Sequence, residues 1–82
     1  MDPFADACET AKTLVSKLKD SDKLTLYSLF KQATAGDCTT PEPSFLDMVG
    51  KAKWTAWKER KGLPKDVAKK VYTDVVKQLT TT

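Results

Sequence analysis

Asp2-Pro3-Phe4-Ala5-Asp6-Ala7-Cys8-Glu9-Thr10-Ala11-Lys12-Thr13-Leu14-Val15-Ser16-Lys17-Leu18 carries its apolar residues at 4, 7, 8, 11, 14, 15 and 18. That spacing is one uninterrupted stripe along a helix of 3.6 residues per turn. Asp2 is placed to cap the helix, with Pro3 at its first position. Lys12 lies one turn beyond Cys8, at the border of the stripe.

The same period recurs along the chain, and no segment alternates as a strand does. Lys19-Asp20-Ser21-Asp22 interrupts it, with Asp20 or Ser21 available as the next cap. A second helix is expected from about Asp22 to Ala35, burying Leu26, Leu29, Phe30 and Ala33, with Leu24, Tyr27 and Lys31 on an adjoining face. Gly36 supplies its stop. The stretch Gly36 to Ser44 holds two prolines and a cluster of turn formers, and reads as the longest loop. Ser44-Phe45-Leu46-Asp47 fits a capping pattern, so a third helix is expected from Met48 to Lys61, ended by Gly62. Pro64 opens a fourth, with a stripe of Val67, Ala68, Val71, Tyr72, Val75, Val76 and Leu79. The Thr80-Thr81-Thr82 tail is expected to fray. With no internal repeat and 82 residues, the chain reads as one all-α domain over 1–82, a four-helix bundle.

Composition narrows the function. The chain is 40% hydrophobic and 30% charged, with a net charge of +3. This is the balance of a soluble globular protein, and milder than that of a committed nucleic-acid binder. It contains no histidine, which removes serine–histidine and cysteine–histidine nucleophiles and histidine-ligated metals. Three glycines in the whole chain leave no glycine-rich phosphate loop. Asp20 and Asp22 sit where helix starts favour acids, which explains them without acid–base chemistry. Cys8 and Cys38 match no zinc or redox spacing and read as free thiols of a reducing cytosol. No apolar run approaches the roughly 20 residues a bilayer demands, and with no apolar run after a basic start no secretory leader is expected. The expectation is a cytoplasmic protein, neither an enzyme nor a metalloprotein, with no cofactor.

Two stretches carry a subtler signal: Tyr27-Ser28-Leu29-Phe30-Lys31-Gln32-Ala33-Thr34 and Gly50-Lys51-Ala52-Lys53-Trp54-Thr55-Ala56-Trp57. Tyr27 and Lys31 are one turn apart on one face, beside Phe30. A phenol, an ammonium and a ring there suit a phosphate attached to a flat base. Periodicity alone favours a plainer reading, in which the rings are core and Lys31 a solvated flank. Trp54 and Trp57 likewise read most simply as core. The small Ala52 and Ala56 allow a helix or a ligand chain to approach closely. Tyr72 belongs to the apolar stripe, yet its hydroxyl needs water or a partner. A different function class, a basic helical module binding nucleic acid or anionic membranes through Lys51, Lys53, Lys58, Arg60 and Lys61, accounts for the charge but not for Tyr27 or the alanines.

The full run Tyr27-Ser-Leu-Phe-Lys-Gln-Ala-Thr-Ala-Gly-Asp37, with Pro43, Leu46-Asp47, Gly50-Lys-Ala-Lys-Trp-Thr-Ala-Trp57 and Lys61-Gly62, closely resembles the acyl-CoA-binding proteins, from Phe4 to Leu79. The resemblance implies an up-down-down-up bundle and one-to-one binding of medium- to long-chain fatty acyl-CoA by an intracellular carrier and pool former. It implies that Tyr27, Lys31 and Lys53 hold the adenosine 3′-phosphate and that Phe30 lies against the adenine. Tyr72 would line the site, and Lys12 would reach the head group and pantetheine. Leu24, Val49 and Ala52 would form the acyl trough. It further implies a monomer that meets acyl-CoA-using enzymes or membranes transiently and binds no nucleic acid. The chain departs from the family pattern at Phe30, often tyrosine, and at Val49, commonly lysine. The second change removes a cation beside the trough, for which Lys23 stands close enough to compensate in part.

Overall fold

The computed structural model describes residues 2–81. Four helices, with no strand among the described residues, follow one another: α1 (Pro3–Leu14), α2 (Asp20–Ala35), α3 (Met48–Lys58) and α4 (Lys65–Thr80). α1 is capped as its sequence dictates, the Phe4 amide donating to Asp2 Oδ1 at 3.0 Å. Its last turn tightens into a 3-10 turn over Val15–Lys17.

Four helix ends differ from the sequence expectation. α2 begins at Asp20 rather than Asp22, following an extended Lys19, with no side-chain cap. Asp20 and Asp22 instead occupy the first turn, where the amide dipoles favour carboxylates. Ser44 does not cap α3. It closes a turn, its carbonyl accepting from the Asp47 amide at 2.9 Å and its Oγ from the Leu46 amide at 3.2 Å. Asp47 is the cap, with Oδ1 accepting from the Gly50 amide at 2.9 Å. α3 stops at Lys58 rather than Lys61 because the chain then tightens: Arg60, Lys61 and Leu63 each donate to the carbonyl three residues back. This leads into and out of Gly62, whose φ of 89° is left-handed. α4 extends through Thr80, so the helix takes in the first threonine of the tail; Thr82 lies outside the described residues.

Side-chain neighbours set the helix directions. Lys23 and Leu24 adjoin Val49 and Ala52 at one end of the α2–α3 pair. At the other end the Trp57 indole donates to the Gly36 carbonyl at 2.8 Å, so the two helices are parallel. Phe4 meets Tyr72, and Thr10 lies beside Thr80, which makes α1 and α4 parallel as well. Gly36 approaches Lys65 while Phe30 faces Tyr72, so α2 and α4 are antiparallel. The order is up-down-down-up. Long α2–α3 and short α3–α4 connections are what that order demands, since parallel neighbours need a chain return.

α2 packs against both α3 and α4, and it therefore buries more than one stripe. Leu26, Leu29 and Ala33 are buried, and so are Ser28 and Gln32, two polar residues that the hydrophobic pattern did not single out. Both are bonded. Ser28 Oγ donates to the Thr25 carbonyl at 2.8 Å and accepts from Arg60 Nε at 3.1 Å. Gln32 Nε2 donates to Asp37 Oδ1 and to the Leu63 carbonyl, each at 2.8 Å. The Gly62 amide donates to the same Asp37 oxygen at 2.9 Å. These bonds fasten the loop after α2 to the loop before α4, and they hold the Asp37 carboxyl below its ordinary range, the Gly62 amide first and Gln32 second. Ala7, Ala11, Tyr72 and Val76 complete the core with Leu26 and Leu29. Three residues assigned to buried stripes stand out of it: Val15, Phe30 and Val67 are 48%, 40% and 40% exposed. For Val15 and Phe30 the reason is an open groove beside them.

Candidate functional site

That groove, about 420 Å³, lies where α1, α2 and α4 leave a gap that α3 only edges. Cys8, Ala11, Lys12 and Val15 form one wall, Leu26, Tyr27 and Phe30 the other, with Tyr72 at the back and Lys23 and Lys53 at the rim. Five residues singled out from sequence (Lys12, Tyr27, Phe30, Lys53 and Tyr72) thus meet in one place. The surface is apolar inside and cationic at the edge, which suits a flat ring bearing phosphates.

The rings are fixed by one another. Phe30 stacks on Phe4 at 6.1 Å between centroids with an interplanar angle of 23°, and Phe4 meets Tyr72 edge-on at 5.2 Å. The outward face of Phe30 remains free for a planar ligand. Tyr72 is buried, and burial, with the adjacent Cys8 contributing less, pushes its hydroxyl up to about 12. It is a protonated donor throughout the neutral range. Burial also raises the Cys8 thiol, leaving it a poor nucleophile.

A second hollow, about 320 Å³, continues past the rim. Leu24, Val49 and Ala52 line it with Met48 and Asp20, and it shares Lys23 and Lys53 with the groove. All three trough residues expected from sequence are therefore neighbours here. The two lysines stand at the boundary between the aromatic and aliphatic compartments.

Lys31 is the candidate that the groove does not include. Its Nζ lies 4.9 Å from the Trp57 ring centroid, whereas Lys53 Nζ lies 5.3 Å from that of Tyr27. Lys12 pairs with Glu9 at 3.1 Å, both side chains well exposed, a contact worth little and easily exchanged. A larger hollow of about 740 Å³ adjoins the trough on the far side of the α2–α3 pair, sharing Leu24, Met48 and Ala52 with it and adding Thr25, Ser28, Phe45, Glu59 and Arg60. It gathers neither tyrosine and includes the Glu59 and Arg60 side chains, so size alone does not make it the site.

Sequence reasoning placed Val15 in the core, and it assigned Cys8 and Ala11 no ligand role. Their signal was present: all three share the α1 face that Lys12 borders. Trp54 is only half-buried, and its indole donates to the Thr40 carbonyl at 2.9 Å. With Trp57 it binds the long loop down, so the tryptophans serve the loop as much as the core. No group of three His, Cys, Asp or Glu side chains suited to a metal occurs among the described residues.

Residues 1–76 match the family model described as Acyl CoA binding protein. The chain belongs to that family. It is 51% identical over 76 residues to acyl-CoA-binding protein homolog 1 of Caenorhabditis elegans, covering 93% of this chain and 88% of the relative. The crystal structure of Oryza sativa acyl-CoA-binding protein 2 superposes with a TM-score of 0.92 at 42% identity, over 96% of this chain and 88% of that one. The family's fold is thus the fold described above. The same unit also occurs inside a longer protein. Enoyl-CoA delta isomerase 2 of Rattus norvegicus is 45% identical over 93% of this chain, which spans 19% of that relative.

Proposed function

We propose that this chain binds medium- to long-chain fatty acyl-CoA esters one to one and serves as their intracellular carrier and pool former. The observation that carries the reading is the junction of two unlike compartments at Lys23 and Lys53. One side offers rings and cations for a phosphorylated nucleotide, the other aliphatic walls for a tail. An acyl-CoA is a molecule of that construction.

In this reading Phe30 lies against the adenine, Tyr72 lines the site, and Tyr27, Lys31 and Lys53 hold the 3′-phosphate. Lys12, released from Glu9, reaches the pantetheine side, and the tail lies on Leu24, Val49 and Ala52. Lys31 must turn away from Trp57. A cation–ring contact near the surface contributes about 0.5–1 kcal/mol, and a charge-assisted hydrogen bond about 1.5–3 kcal/mol, so the exchange favours the phosphate. Tail burial adds up to about 0.8 kcal/mol per methylene. Nothing in the groove is poised to attack the thioester: the Cys8 thiol is raised by burial and histidine is absent from the sequence. The domain therefore holds its ligand intact, and in this reading it works as a cytoplasmic monomer that meets acyl-CoA-using enzymes or membranes in passing.

The rival basic-module reading loses support from where the cations point. Lys51 pairs with Glu42 at 3.2 Å, Lys58 lies over Trp54 at 4.5 Å, and Lys53 over Tyr27. Calorimetric titration with palmitoyl-CoA, CoA and palmitate tests the proposal. Palmitoyl-CoA is expected to bind far more tightly than either part. Palmitate binding as tightly as its CoA ester would overturn the assignment.

A further inference from the structure

The four most exposed large apolar side chains of the described residues are near neighbours: Phe45, Leu46, Met48 and Val49, at 77%, 80%, 78% and 67%. They occupy the end of the long loop and the first turn of α3. Such a run is unusual on a freely solvated surface and marks a surface that something covers. Met48 and Val49 line the trough, so a bound tail covers part of them. Leu46 lines neither hollow, and Phe45 lines only the larger one that adjoins the trough at Leu24, Met48 and Ala52, so a tail held in the trough leaves both uncovered.

The protrusion is held in shape. Ser44 closes the turn beneath it, Asp47 caps the helix within it, and the Trp54 bond to Thr40 anchors the preceding loop. Lys51 adjoins Phe45, and Lys23 and Lys53 flank the trough. Three acids offset them: Glu42 pairs with Lys51, Asp47 is committed to its cap, and Asp20 lines the trough. The charges roughly balance, so apolar contact rather than net charge drives docking. The lysine stems can lie along an interface with their ammonium groups in the headgroup layer.

We propose that residues 45–49 form a wedge that docks the protein on a lipid bilayer surface, with the trough opening against the acyl layer. This rests on the acyl-CoA reading, because continuity with the trough is what selects a bilayer over a protein partner. A fatty tail leaving a membrane meets Met48 and Val49 first and slides into the trough without crossing water. Side chains of this kind settle at the boundary between headgroups and acyl chains.

The test uses ligand-free protein and vesicles of phosphatidylcholine, with and without phosphatidylserine. The unaltered chain is expected to float with both, with modest salt sensitivity. Phe45→Ser/Leu46→Ser is expected to lose about tenfold or more of the vesicle-bound fraction, with Leu46→Ser alone intermediate as a control against misfolding. In stopped-flow transfer of palmitoyl-CoA from vesicles, the rate should rise with vesicle concentration for the unaltered chain and not for the double variant. Octanoyl-CoA titrated in solution reads the ligand site alone and should be unchanged. Equal flotation of both proteins overturns the wedge, as does a concentration-dependent dimer that Leu46→Ser dissolves. Failure of octanoyl-CoA to bind the unaltered chain overturns the ligand reading while leaving the flotation result to stand by itself.

Discussion

Lys53 Nζ sits 5.3 Å from the centre of the Tyr27 ring, tying α3 to α2 where the aromatic groove passes into the aliphatic trough. The contact is with the ring face, and among the described residues no carboxylate forms an ion pair with Lys53. In the proposed site, two donors of different kind, one charged and one neutral, would serve one phosphate.

Their removal should separate the two contributions. Tyr27→Phe keeps the ring and its contact with Lys53 but loses one neutral hydrogen bond, about 1 kcal/mol or roughly fivefold in affinity for palmitoyl-CoA. Lys53→Ala and Lys31→Ala each lose a charge-assisted bond, about 1.5–3 kcal/mol, and should weaken binding at least about tenfold. Calorimetry reads all three, and unchanged melting temperatures would show that the groups serve the ligand rather than the fold. Full affinity in Lys31→Ala would mean that its place over Trp57 is its only role.

Much of this arrangement could be read from sequence, and the failures share one cause. Apolar periodicity located all four helices, because each buries a stripe. It misplaced Val15 and Phe30, because a ligand groove is built from the same residues as a core and differs only in lacking a neighbour. It overlooked Ser28 and Gln32, because a helix packed on two sides buries polar positions whenever another loop supplies partners, and those partners lie some thirty residues away. Spacing cast Ser44 as the cap with Asp47 as the acid three residues on, and the turn that Ser44 closes instead leaves Asp47 facing the helix amides.

Asp37 gives the fold a dependence on acid. Its folded-state pKa is lowered, first by the Gly62 amide and then by Gln32. A depressed carboxyl pKa contributes stability that is present above the unfolded value, about 3.9, and is lost as pH falls through the folded value. Asp37→Asn should therefore melt lower than the unaltered chain at pH 6, and the two curves should converge as pH falls through the lowered folded value. Parallel melting curves down to pH 2, followed by circular dichroism, would remove Asp37 as the source.

Gly62 separates backbone strain from crowding. Its φ is 89°, yet a Cβ built there would meet no atom within 4 Å. Gly62→Ala should thus cost about 1–2 kcal/mol through the left-handed conformation alone, with Gly62→Asn costing less. Urea denaturation measures both. A neutral alanine would show that the turn relaxes without consequence for the Asp37 bond it presents.

Val49 is where the preference of the proposed trough can be tested. The side chain is 67% exposed, beside Leu24 and Ala52 and within the hollow that Lys23 and Lys53 share with the groove. A third cation there would draw phosphate and interrupt the aliphatic wall. Val49→Lys should therefore bind CoA itself more tightly, by about 0.5–1 kcal/mol for a partly solvated contact. Its gain per added methylene should also stop at a shorter tail. A titration series from octanoyl- to stearoyl-CoA shows both effects as a raised intercept and an earlier plateau. If the two proteins give superimposable series, the tail does not run over position 49, and the trough must be sought along Leu24 and Ala52 toward the far side of the α2–α3 pair.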